Sequence, residues 1–184
     1  MIDQNTIALV TGANRGFGKA LVAALLSAGV GKIYAAARDP SAVEAQHADS
    51  RVVPVTLDVT KADRVAAAAA QAGDVTMLFN NAGVLDFGDI LTTPLEKVDR
   101  NMAVNFYGKL SMARAFAPVI TGNGGGAIIN TLSLVALASM PGLAVLHIVS
   151  NPKSLNSAAR RIRSISQGLL TDRNSATISL TRFS

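Results

Sequence analysis

Through residue 131, apolar positions follow two alternating rhythms. Short runs of strand length, Thr6-Ile7-Ala8-Leu9-Val10, Lys32-Ile33-Tyr34-Ala35-Ala36-Ala37, residues 51–57, Val75 to Phe79 and Ala127-Ile128-Ile129-Asn130-Thr131, predict five buried strands. Between them the apolar spacing turns helical. Leu21, Val22, Leu25 and Leu26 predict a crossover helix over 16–28, ended by Gly29 and Gly31. A short helix is expected from Pro40 to about Gln46, and an alanine-rich one over 61–72 with Thr60 as its cap. A long helix is read over 94–117, with Val98, Met102, Phe106, Leu110, Ala113 and Phe116 on its apolar side. The loop 84–93 reads as surface, and Thr121 to Gly126 as a turn. Strands and helices alternating at this spacing predict one α/β domain, a doubly wound, Rossmann-like parallel sheet covered on both faces. In such a fold the ligand crevice lies at the strand C-termini.

Polar motifs stand where that crevice is expected. The first strand runs into Thr11-Gly12-Ala13-Asn14-Arg15-Gly16-Phe17-Gly18, which opens the first helix. Glycines there permit a tight turn and close approach of backbone to a phosphate, which the helix N-terminus then stabilises. The spacing is Gly-x-x-x-Gly-x-Gly, distinct from the general dinucleotide fingerprint. Asp58-Val59-Thr60 follows the third strand, and Asn80-Asn81-Ala82-Gly83 the fourth. Asp58 is also a plausible helix cap, and the asparagines plausible turn residues. Asn105 sits among apolar helix positions, where an amide needs a partner.

Composition narrows the chemistry. Of 184 residues 49% are apolar and 16% charged, which suits a well-packed domain. Cysteine is absent, so disulfides, thiolate zinc sites and a cysteine nucleophile are excluded; two histidines, His47 and His147, make a metal site improbable. With no apolar stretch of membrane-spanning length and no secretory leader, a soluble, cytoplasmic protein with no membrane partner is expected. The net charge of +5 lies wholly beyond residue 150, where six basic residues face one acid, Asp172. With one aromatic, Phe183, and no nucleic-acid motif, this basic segment reads as a solvated helix face, not a nucleic-acid site.

Taken in order, these motifs resemble the short-chain dehydrogenase/reductase family over about residues 5–143. The resemblance implies a dinucleotide-binding domain over 1–150, with 151–184 as an atypical basic helix and short tail of the same domain. It implies cofactor contacts from Gly12, Asn14, Arg15, Gly16, Phe17 and Gly18, from Asp58 and Val59 at the adenine, and from Asn81, Ala82 and Gly83 near the nicotinamide ribose. Asn105, in Val104-Asn105-Phe106-Tyr107-Gly108, matches the family's proton-relay asparagine, and Ser133 the serine that orients the substrate carbonyl. About 20 residues past the glycine loop, where an acid would bind a ribose 2′-hydroxyl, stand Ala37 and Arg38. A forked cation suits a 2′-phosphate, so NADP(H) is expected over NAD(H). The implied reaction is hydride transfer between nicotinamide and a small carbonyl or secondary alcohol. The implied assembly is a homodimer or tetramer through helices 94–117 and 152–167.

One family motif is missing. The tyrosine and, four residues later, the lysine that move the proton are expected near 146 and 150, where the chain has Leu146 and Ser150. The remaining tyrosines, Tyr34 and Tyr107, fall on the second strand and the long helix. His147 is a weak substitute acid and Lys153 a weak substitute lysine. Beyond residue 150 valine disappears while serine and arginine become frequent, which reads as a truncated or altered C-terminal segment. Asn151-Pro152 opens a helix near 152–167, and Thr177 to Leu180 predicts a short sixth strand. The rival expectation is a non-catalytic NADP(H)-binding protein, a regulator or dimerisation partner.

Overall fold

The structure, a computed structural model, describes residues 2–39, 41–44, 49–89, 91–133 and 176–183. Strands β1 (Ile7–Thr11), β2 (Lys32–Ala37), β3 (Val52–Thr56), β4 (Met77–Asn80) and β5 (Gly126–Ser133) form a parallel sheet. The sheet order is β3-β2-β1-β4-β5, closed at the β5 edge by β6 (Ala176–Phe183). The strand expected at Thr177–Leu180 is therefore present, longer than predicted, and antiparallel to β5. The predicted helix at 152–167, together with His147 and Lys153, lies outside the described residues.

Alternation along the strands divides the core into two layers. Leu9, Tyr34, Val55, Leu78 and Ile128 pack on one face beneath α3 (Ala62–Gln71) and α5 (Lys109–Gly122). Ala8, Val10, Ile33, Ala35, Phe79 and Ile129 pack on the other, against Val22 and Leu25 of α1 (Gly16–Ser27) and Val43 of α2 (Ser41–Glu44).

Two local expectations are corrected. Thr60 does not cap α3. The N-cap is Lys61, with no side-chain cap, because Thr60 is already turned back by Asp58, whose Oδ1 accepts from the Thr60 N–H at 3.0 Å and hydroxyl at 2.7 Å. The long helix is not one α-helix over 94–117 either. It begins as α4 (Leu95–Asn101), widens into a π segment (Met102–Gly108), and continues as α5 to Gly122. Pro118 does not stop it, since Arg114, whose carbonyl loses its partner, faces solvent with the proline. The π turn rotates the helix, so Asn101, Gly108, Met112, Phe116 and Ile120 are buried while Phe106 and Leu110 are exposed. The loop 84–93 is on the surface as expected, yet it carries large exposed apolar groups, Phe87 and Leu91.

Candidate functional site

β1 and β4 are neighbours although β2 and β3 lie to one side of β1 and β5 beyond β4, so the connections leave the sheet in opposite directions between them. At their C-terminal ends this opens a crevice of about 650 Å³, a size suited to a nucleotide cofactor. Four loops build its wall.

The first is the glycine turn after β1. Thr11 Oγ1 accepts the Asn81 N–H at 3.0 Å and the Ala82 N–H at 2.8 Å, while Asn81 Nδ2 donates to the Thr11 and Gly12 carbonyls at 2.9 and 3.3 Å. This lashes the turn to the loop after β4. A Cβ on Gly18 would meet the Gly12 carbonyl oxygen and Asn81 Nδ2, so only glycine lets helix α1 begin so near the strand end. At that helix start Arg15 is the N-cap with no capping side-chain bond, and the first turn carries no acid. The first-turn N–H groups and the positive end of the helix dipole thus remain for an anion.

The second and third loops carry Arg38 after β2 and Asp58-Val59 after β3. Burial works to raise the Asp58 pKa, but the two Thr60 hydrogen bonds, with Arg38 and Lys61 nearby, hold it below the ordinary carboxylate value. The aspartate is therefore an anion in the same crevice wall as Arg38.

The fourth loop is Asn81-Ala82-Gly83, with Val84. Asn105 in the π segment clamps it: Val84 N–H donates to Asn105 Oδ1 at 3.0 Å, and Asn105 Nδ2 donates to the Val84 carbonyl at 2.8 Å. Asn101, fully buried, holds Asp86 at 2.9 Å, and Arg100 pairs with the same carboxylate at 2.8 Å.

Gly12, Asn14, Arg15, Gly16, Phe17, Gly18, Arg38, Asp58, Val59, Asn81, Ala82 and Gly83 all line this one crevice. Asn105 and Ser133 do not reach its wall; Asn105 stands behind the fourth loop, and Ser133 is the last residue of β5, opposite Ala176. Tyr34 is bound away from the crevice, donating to Asp74 Oδ1 at 2.8 Å and accepting from Lys32 Nζ at 2.6 Å. Tyr107 is 57% exposed on the π segment, edge-on to Phe106.

Sequence reasoning missed Arg100 and Lys109, and named Thr11 as the start of the glycine motif without the bonds by which it holds the loop after β4. Arg100 lines the crevice from α4. Lys109 was not legible, because its burial follows from the π turn. Its ammonium donates to the carbonyls of Ala82 at 2.8 Å and Asn80 at 3.3 Å, and desolvation pulls its pKa down to about 8. Among the described residues no helix is long and apolar enough to cross a membrane.

Comparison with known proteins agrees with this geometry. The family model described as short chain dehydrogenase matches residues 6–146. The chain is 36% identical over 152 residues to a 2-(R)-hydroxypropyl-CoM dehydrogenase of Xanthobacter autotrophicus, covering 74% of this chain and 59% of that one. It is 37% identical over 155 residues to a 1-deoxy-11-beta-hydroxypentalenate dehydrogenase of Streptomyces arenae, covering 78% and 55%. A short chain dehydrogenase from Burkholderia cenocepacia, solved in complex with NADP, superposes with a TM-score of 0.75 at 39% identity, over 89% of this chain and 66% of that one. A short chain dehydrogenase/reductase from Burkholderia phymatum, solved with NAD, superposes equally well, TM-score 0.75, at 28% identity over 91% and 61%. The chain spans 25% to 59% of the length of the curated relatives it matches.

Proposed function

The chain belongs to the short-chain dehydrogenase family, and from that premise we propose that it is an NADP(H)-binding oxidoreductase acting on a small carbonyl or secondary alcohol. The observation that carries the reading is convergence: four loops distant in sequence bring twelve motif residues to one crevice at the β1–β4 switch point. The residues fit a dinucleotide. The acid-free N-terminus of α1, with Arg15, suits a pyrophosphate. Arg38 suits a ribose 2′-phosphate, with no acid at the position that would take a 2′-hydroxyl. Asp58 and Val59 suit the adenine, and Asn81 to Gly83 the nicotinamide ribose.

The cofactor supplies the hydride when bound. The chain's own part is to bind, orient and manage the proton. Ser133 is assigned to polarise the substrate oxygen, and Asn105 to order the loop beside the reacting carbon. No tyrosine stands at 146 and no lysine at 150 to transfer the proton, and Tyr34 and Tyr107 lie elsewhere. Turnover is therefore expected to be lower by roughly 10²–10⁴-fold than with a positioned acid. The same absence favours a second reading, a dinucleotide-binding protein without catalysis, serving as a regulator or dimerisation partner.

Titration with NADPH and with NADH, followed by nicotinamide fluorescence and calorimetry, tests the proposal. Saturable binding, at least tenfold tighter for NADPH, is expected, and no binding of either sinks it. NADPH oxidation over a panel of carbonyls then separates the readings. Slow turnover lost in Ser133→Ala supports the enzyme; none on any member supports the binding protein.

A further inference from the structure

Among the described residues Lys109 is the one lysine whose ammonium is drawn out of water, and it lies beneath the fourth loop of the crevice, not in it. It and Asn80 hold each other reciprocally. The Lys109 ammonium donates to the Asn80 carbonyl at 3.3 Å, while Asn80 Nδ2 donates to the Lys109 carbonyl at 3.2 Å and to Asn130 Oδ1 at 3.0 Å. The shorter bond, 2.8 Å, runs to the Ala82 carbonyl. The Ala82–Gly83 peptide is trans, so a carbonyl of Ala82 aimed at the lysine turns the Gly83 N–H in the opposite direction. The cation thus sets the tilt of the peptide between two crevice-lining residues. Among the described residues no acid pairs with it. β4, β5 and the π segment contribute no charged residue, and Asp63, Arg64 and Arg114 on α3 and α5 are exposed. A desolvated cation that, among the described residues, is held by two loop carbonyls and no acid is poorly explained by stability alone.

We propose that Lys109 is a positioning residue for the dinucleotide: its charged ammonium, from beneath, fixes the Asn81-Ala82-Gly83 turn in the orientation that receives the cofactor. This rests on the NADP(H) reading above. The fall of the Lys109 pKa to about 8 gives the device a pH signature. Only the fraction of molecules carrying the proton presents the turn in its receiving form, so apparent affinity falls with that fraction.

The test compares wild type with Lys109→Met, Lys109→Gln and Lys109→Arg. NADPH titrations run from pH 7 to pH 9, alongside hydrogen exchange of the amides of residues 81–84 in free protein. Wild-type Kd is expected to rise roughly tenfold between pH 7 and pH 9 as the lysine deprotonates. Lys109→Met should bind roughly tenfold or more weakly at pH 7 with a flat profile, and its 81–84 amides should exchange faster. Lys109→Arg, which stays charged throughout, should bind near the wild-type level and also be flat. Lys109→Gln carries the same test if the methionine variant does not fold. Equal affinities and equal pH slopes in wild type and Lys109→Met overturn the proposal. If wild type binds neither dinucleotide, the functional reading falls and the positioning role falls with it, an outcome distinct from wild type that binds with the same affinity and pH slope as Lys109→Met, which overturns the positioning role alone.

Discussion

Gly16 and Gly18 lie two residues apart in one turn and need glycine for different reasons. Gly16 has φ +53 with nothing near its missing side chain, so alanine there pays only for the left-handed backbone, roughly 1–2 kcal/mol. Gly18 is ordinary in backbone but pressed on the Gly12 carbonyl and Asn81 Nδ2, so alanine must push two loops apart. Gly18→Ala is therefore expected to cost about 1–3 kcal/mol in urea denaturation, with dinucleotide binding lost. Lys109 inverts the usual relation between stability and function. A pKa lowered from 10.5 to about 8 means that its burial costs roughly 3 kcal/mol at neutral pH. Its two carbonyl contacts return about 1 kcal/mol each. Lys109→Met should then be about 1 kcal/mol more stable at pH 7 while binding dinucleotide less well. Because the unfolded lysine holds its proton longer, wild-type stability should rise from about pH 8 to about pH 10.5, and the methionine variant should lack that rise in urea midpoints. The glycines were legible in the sequence because spacing alone fixes a turn. Lys109 was not, because a lysine after a glycine on an amphipathic helix reads as exposed until the helix register is known.

At the scale of elements, the strands and the first three helices were legible since each closes its pattern within itself. Apolar runs bounded by glycine or aspartate end where the structure ends them, to within a residue or two. The long helix failed that logic. Helical spacing chose Phe106 and Leu110 as core, yet one π turn, anchored by Asn101 on Asp86 and Asn105 on Val84, moves them to the surface. The reason for the turn lies outside the helix, in loop 84–86, and no local periodicity reports it. Gly108 marks the consequence: a Cβ there would stand 2.7 Å from Val59 Cγ2, so the widened helix packs directly on the Asp58-Val59 loop. Asn105→Ala removes both bonds to Val84 and leaves two backbone groups without partners. It should cost about 2–4 kcal/mol in urea denaturation, summing roughly 1–2 kcal/mol for each group. Asn105→Asp keeps the acceptor for the Val84 N–H and sets an anion against the Val84 carbonyl, so it should not restore stability. A change below 0.5 kcal/mol in Asn105→Ala would show that the clamp does not hold the loop.

For the whole molecule, order along the sheet matters more than any single loop. Placing β4 beside β1 is what brings Asn81 onto Gly12, and that contact joins the two halves of the crevice. The antiparallel β6 adds eight residue pairs to β5 but is separated from β1 by two strands, β4 and β5. Binding and edge pairing should therefore separate in experiment. A dinucleotide that meets only the folded chain raises stability by about 2.7 kcal/mol at a hundred times its Kd. For a domain of this size that corresponds to a rise in Tm of roughly 5–10 °C. The rise should come with slower amide exchange in the turn after β1, the start of α1 and residues 81–84, while the β5–β6 pairing is unchanged. Arg38→Ala should shrink the shift given by NADPH toward that given by NADH, since only the former presents a phosphate to the guanidinium. Protection spread evenly over β6 and the crevice would mean that the ligand stabilises the fold as one unit. Equal shifts from the two dinucleotides in wild type would remove Arg38 from the choice of cofactor and leave the α1 N-terminus as the shared anchor.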